Sequence, residues 1–273
     1  MSILYTTKYR VKHPILRHLI KYFWVLKSDS QMVVNHKLLP VNSIDMIMNF
    51  AEPIKYISAD GVETVTAKAH FNGIRDRYFI IQQAGIIDVI GISFFSAGVY
   101  PLLKVPLYEF KNKTMELDDV ISRFAAEIEE KISKVNQIEE RLDIIEEEMV
   151  RRIDSELILE FSDYKYLNTF YGNNSDYNVN QFCTKQGISQ RKLERDFNKY
   201  VGISPIVFQK INRYQKTLNA MLYNRAMNLT ATAYANNYYD QNHFIKDFKS
   251  FTGCTPTTFL RQKSAVKQIM TVS

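Results

Sequence analysis

The stretch RDFNKYVGISP, residues 195–205, returns fifty-one positions later as KDFKSFTGCTP, residues 246–256. Each copy opens on a basic residue, then Asp and Phe; a Gly follows five residues after the Phe and a Pro three residues after the Gly. Working outward, Ser189 is a good helix N-cap, because its hydroxyl can accept from a backbone N–H two or three residues on. Leu193 and Phe197 are four apart and share one helical face, which packs inward. Arg191, Glu194 and Arg195 fall on a different, outward face. Gly202 ends the helix, since it tolerates the positive φ that a helix terminus favours. The same shift pairs Ser189 with Asp240, Leu193 with Phe244, Arg195 with Lys246, Gly202 with Gly253 and Phe208 with Phe259. Upstream of the caps the shift is fifty, so Cys183 meets Ala233. Between the copies, Phe208, Ile211, Leu218, Met221 and Leu222 form one stripe, which predicts a single connecting helix.

Two helical hairpins are therefore expected at a fixed separation. One such hairpin is usually a packing unit. A rigid pair of capped, basic-faced helices instead matches two successive major-groove visits, roughly 34 Å apart, on one side of a duplex. The charge agrees. From Ser175 onward there are fourteen Lys and Arg against five Asp and Glu, or +9; residues 1–174 carry twenty-one against twenty-four, or −3. A basic region joined to a mildly acidic one points to a polyanion-binding half and a half with another task, although a basic surface also serves solubility.

The pattern GISQRKLERDFNKYVGISPIVF…NRYQKTLNAML…YYDQNHFIKDFKSFTGCTPTTFLR resembles the DNA-binding domain of the AraC/XylS family of bacterial transcription regulators, over residues 178–262. The resemblance implies transcriptional control, with recognition helices at Gln190–Tyr200 and Gln241–Phe251. It places base contacts on Arg191, Glu194 and Arg195, then on Gln241, Asn242, His243 and Lys246. Either arginine can offer a bidentate fork to guanine, and Gln241 or Asn242 can read adenine; each arginine can equally serve as a phosphate contact without sequence preference. Glu194 either accepts from cytosine or orients the two arginines. Lys192, Lys199, Lys210, Lys249 and Arg261 are expected at the DNA backbone or in solvent. Thr232, Asn236 and Asn237 depart from the family pattern in the second unit, and Thr217 does so in the connecting helix. Of these, Asn237 is the next-best residue to Gly for a left-handed turn.

Residues 1–115 are written in short apolar and β-branched runs separated by Gly, which predicts six to nine strands in a sandwich or barrel. The resemblance to the family, faint in this half, adds a cupin-like barrel. Trp24, Phe50, Tyr56, Phe71, Tyr78, Phe79, Phe94 and Phe95 either line an apolar pocket or are plain core. Asp45 reads as a turn or capping residue. Further on, Ile121, Ile128, Val135, Leu142 and Met149 recur every seven residues, while Lys131 and Arg152 interrupt a second row. That spacing predicts either a dimer coiled coil or two shorter helices folded back on the β region.

The expected fold is α+β: a β-rich domain at 1–116, a helical segment at 117–170, and an all-α tandem helix-turn-helix domain at 171–273. The expected partner is double-stranded DNA. RNA polymerase, a small-molecule effector at the first domain and a second copy of the chain are left open. The five histidines form no HxH or HExxH spacing, and no GxSxG, phosphate-binding or dinucleotide-binding loop occurs, so neither an enzyme nor a bound metal or cofactor is expected. Cys183 and Cys254 suggest neither a disulfide framework nor a zinc site. No membrane span or secretory leader is read, so a cytoplasmic protein is expected. The alternative is an interaction protein whose double motif has lost specific DNA binding.

Overall fold

The computed structural model describes residues 3–153, 167, 170, 178–223 and 229–261. The boundary expected at 171–178 lies, apart from Asn178, outside them. Ten strands come first: β1 (Leu4–Tyr9), β2 (Ile20–Ser28), β3 (Met32–Leu38), β4 (Ser43–Asn49), β5 (Ile54–Ser58), β6 (Glu63–Thr66), β7 (His70–Asn72), β8 (Phe79–Gly85), β9 (Asp88–Phe95) and β10 (Thr114–Glu116). They form two antiparallel sheets, one in the order β1-β2-β9-β4-β7-β10 and one in the order β3-β8-β5-β6. Ten exceeds the six to nine expected. The surplus includes β7 and β10, three residues each, which exist because β7 pairs on both sides, with β4 and β10. Such short strands carry no periodicity of their own.

Alternation along β4 shows how the layers stack. Ile44, Met46 and Met48 join one large apolar core, whereas Ile47 joins a second, smaller one with Val34, Ile54, Tyr56, Phe79 and Val89. Successive side chains leave a strand on opposite faces. The six-stranded sheet therefore sits between the four-stranded sheet on one side and the helices on the other. β9 repeats the rule: Ile90, Ile92 and Phe94 enter the large core and Val89 the small one.

Among the described residues the helices include α1 (Tyr100–Leu103), α2 (Leu117–Ser133), α3 (Ile138–Arg152), α4 (Val179–Gln186), α5 (Gln190–Tyr200), α6 (Pro205–Tyr223), α7 (Leu229–Ala235), α8 (Gln241–Thr252) and α9 (Pro256–Arg261). The seven-residue repeat does not build a continuous coil. α2 kinks at Ile121 (φ −146°, ψ 59°), and the chain leaves helix between Ser133 and Ile138. Ile121, Ile128, Leu142 and Met149 are buried in the chain's own core, so the two-helix alternative holds. Lys131, which broke the second row, reaches across to Glu148 at 2.6 Å and ties α2 to α3.

The core is continuous from the β half into the helical half. Phe170 packs edge-on against Phe182 and Phe197, and Tyr100 against Tyr200. Polar bonds cross as well. Asn42 Nδ2 donates to Asn212 Oδ1 (2.6 Å) and to the Phe208 carbonyl (3.0 Å); Gln215 Nε2 donates to the Pro40 carbonyl (3.1 Å); Lys37 Nζ donates to the Thr252 carbonyl (2.9 Å).

Candidate nucleic-acid interface

Two helices carry the expected recognition residues, and each is fixed at both ends. At the start of α5, Ser189 Oγ accepts from the Lys192 N–H at 3.1 Å; at the start of α8, Asp240 Oδ1 accepts from the His243 N–H at 2.7 Å. Gly202 and Gly253 follow the helices at φ +91° and +76°. The turns that lead in also correspond. Gly187 and Asn237 are both left-handed (φ 65° and 61°), and the amides of Ile188 and Tyr238 reach back to the carbonyls of Cys183 and Ala233, each at 3.1 Å. Tyr239, which is 87% exposed, is thus the extra residue that changes the internal shift from fifty to fifty-one.

On α5, Leu193, Asp196, Phe197 and Tyr200 are buried, while Arg191, Glu194 and Arg195 are exposed together on the opposite face. On α8, Phe244, Asp247, Phe248 and Phe251 are buried, while Gln241, Asn242, Lys246 and Lys249 are exposed. The aspartate of each repeated stretch is an internal anchor. Asp196 takes Lys192 (2.7 Å) and the Arg195 Nε (3.4 Å). Asp247 takes Arg213 (3.0 Å) and lies 3.5 Å from His243 and 3.9 Å from Lys210.

Three expected contacts are therefore placed differently from the rest. His243 sits half-buried beside Asp247, with its ring edge-on to Tyr238 at 5.4 Å. Lys199 lies over the rings of Tyr100 and Tyr200, and its hydrogen bond to Tyr200 raises its pKa. Lys192 is committed to Asp196 across one helical turn. Arg261 is exposed at the end of α9. Sequence reasoning missed Arg213, which links α6 to α8 through Asp247 and stacks on Tyr238 at 4.4 Å. It counted only as charge, because the partners lie twenty-five and thirty-four positions away.

A second feature lies in the β half. A cavity of about 300 Å³ opens between the two sheets, and α6 supplies part of its wall through Gln215, Leu218 and Asn219. Trp24 and Tyr56 line it. The other aromatic candidates do not. Phe71 and Phe94 are core, Phe79 stacks beneath Arg75 at 4.2 Å, Tyr78 lies under Lys37 at 4.4 Å, Phe50 under Arg141 at 4.4 Å, and Phe95 is 38% exposed. Trp24 lies flat because its register partner on β9 is Gly91, where an added Cβ would fall 1.9 Å from the indole. Asp45 belongs to no turn or cap; it stands in β4 and faces this cavity.

Among the described residues, no group of His, Cys, Asp and Glu could hold a metal ion, and no helix is long and apolar enough to cross a membrane. Comparison with known proteins follows the two halves. A helix-turn-helix domain family matches residues 182–262, and a domain of unknown function (DUF6597) matches residues 12–116. No curated protein matches the chain in sequence. Among solved structures, ToxT from Vibrio cholerae O395 aligns over 96% of this chain and 99% of its own, at 13% identity and a TM-score of 0.43. ToxT bound to (E)-4-(8-methylnaphthalen-1-yl)but-3-enoic acid aligns over 85% and 99%, at 13% identity and a TM-score of 0.44. The AraC-like transcriptional activator CuxR aligns over 86% and 85%, at 15% identity and a TM-score of 0.30. The two capped, glycine-closed hairpins and the family match over the same residues identify the C-terminal part of this chain as an AraC-type helix-turn-helix domain.

Proposed function

We propose that the chain is a sequence-specific DNA-binding transcription regulator that lays α5 and α8 in successive major grooves and answers to a small molecule in the cavity of its β half. The observation that carries this reading is the pairing of two equivalent helices. Each has one face locked by a buried aspartate and aromatics, and the other presents donors to solvent. Arg191 and Arg195 offer planar forks of donors suited to guanine O6 and N7, and Gln241 and Asn242 suit adenine N6 and N7. Lys246, a base contact by the resemblance, follows with Lys249 on α8, and the compact ammonium of each suits a backbone phosphate. His243 acts through its partners and holds its helix rather than touching bases, and Lys192 and Lys199 do the same rather than reaching the DNA backbone.

The test is binding to the DNA upstream of the chain's own coding region, against random duplex of equal length. Footprinting should protect two windows centred about one helical turn, some 10 base pairs, apart. Arg195→Ala should weaken specific binding by about 1–3 kcal/mol and relax preference at one base pair. Equal loss on both duplexes would make Arg195 a phosphate contact. Failure to prefer any duplex would favour a protein–protein role for the double motif.

A further inference from the structure

The face that the six-stranded sheet turns toward the cavity carries one transverse polar row. Tyr22 pairs with Ser93, Ser93 with Asp45, and Asp45 with Asn72, across four neighbouring strands, and all four line the cavity. Around them the walls are apolar, with Trp24, Leu26, Val34, Ile54, Ile81 and Val89 among the lining residues. An ordinary core would not place a carboxylate in such surroundings, because burying an ionised group unpaired costs several kcal/mol.

Asp45 has no such partner in hand. One hydrogen bond, from the Ser93 side chain, reaches the carboxylate, while its Oδ1 is closed to solvent and accepts none. Among the described residues no cation stands within ion-pair distance of it. The nearby cations are committed elsewhere. Lys21 Nζ donates to the Asn42 carbonyl at 3.0 Å. Arg75 donates to Asn72 Oδ1 and Thr114 Oγ1, each at 2.7 Å, and stacks on Phe79. Lys37, which lines the cavity, is turned to the Thr252 carbonyl and the Tyr78 ring. Burial lowers the pKa of the lining His36 and raises that of Asp45, so the site disfavours charge on either group until a partner arrives.

We propose that the cavity binds a compact apolar primary amine whose ammonium pairs with the Asp45 carboxylate and whose body rests against α6. This rests on the effector reading above and gives it a ligand class. An ammonium supplies a counter-charge at ion-pair distance, whereas a carboxylate would meet Asp45 as a like charge. The signal then has a short route. Gln215, Leu218 and Asn219 belong to the helix that links the two reading helices, and Gln215 and Asn212 already bond to the β half at Pro40 and Asn42.

The experiment uses the full chain and three near-isosteric probes at pH 7: tryptamine, tryptophol and indole-3-acetate, followed by calorimetry and by operator binding. Tryptamine should bind about tenfold to a hundredfold more tightly than tryptophol, as a hydrogen bond between charged groups implies, and indole-3-acetate should bind most weakly. Asp45→Asn should close the gap between tryptamine and tryptophol. If tryptophol or indole-3-acetate equals tryptamine on the wild-type chain, or if no probe binds, the amine assignment is overturned without recourse to any variant. If tryptamine binds through Asp45 yet operator affinity stays constant, the ligand class stands and the effector reading falls.

Discussion

Single side chains decide which surface the helices of the double motif leave open. Arg195 contacts the buried Asp196 at its edge while its side chain stays 70% exposed, so it is oriented and still available. Lys246 is exposed at the equivalent position of the second unit. Lys246→Ala should therefore lower affinity on specific and random duplex alike and reduce the salt slope of binding by about one, measured by titration at several salt concentrations. His70 makes a different kind of prediction. It is buried, with its ring nitrogens 2.8 Å from the Tyr56 hydroxyl and 3.1 Å from the Lys68 carbonyl, and burial pushes its pKa down to about 4. The unfolded chain binds the proton near pH 6.5. Stability is thus fully present above pH 6.5 and falls as pH drops toward 4, by about 3 kcal/mol in all. Denaturant titrations across that window should show the loss in the wild-type chain and a smaller one in His70→Gln.

At the scale of elements, the caps and turns explain why the hairpins were legible. Ser189, Asp240, Gly187, Gly202 and Gly253 act within four residues of themselves, and local rules name them. Asn237 holds its left-handed turn at φ 61°, as its residue type allows. Asn237→Gly should raise the melting temperature modestly, by about 0.5–1 kcal/mol of stability, because the strained φ costs Gly less. Thr217 also proved compatible with burial, because its hydroxyl donates to the Arg213 carbonyl one turn back at 2.8 Å; Asn236 holds its place through its side chain, which donates to the Thr232 backbone carbonyl at 2.8 Å. The β half was less legible. The stretch SIDMIMN announces alternation, but which face looks at a second sheet depends on pairings up to about fifty residues apart. Asp45 therefore read as a turn residue. The link from Arg213 to Asp247 likewise arises from tertiary packing, which local pattern does not encode.

For the whole molecule, the notable fact is where the two halves touch. A Cβ added at Gly202 would stand 2.6 Å from the Leu107 carbonyl, and one at Gly253 would stand 2.5 Å from the Tyr78 ring. The matching glycine of each repeat is thus both a helix terminus and a point of contact with the β half. Both sit at positive φ, but Gly202→Ala also meets backbone, and should cost more stability than Gly253→Ala, which meets a side chain able to move; paired thermal melts would rank them. Tyr78→Ala should leave the first protected window on DNA intact and fade the second, which footprinting would reveal. The β half is in this sense a gauge laid across both jaws of a caliper: on the proposed reading, whatever altered its width would retune the spacing of α5 and α8 and leave their exposed side chains unchanged.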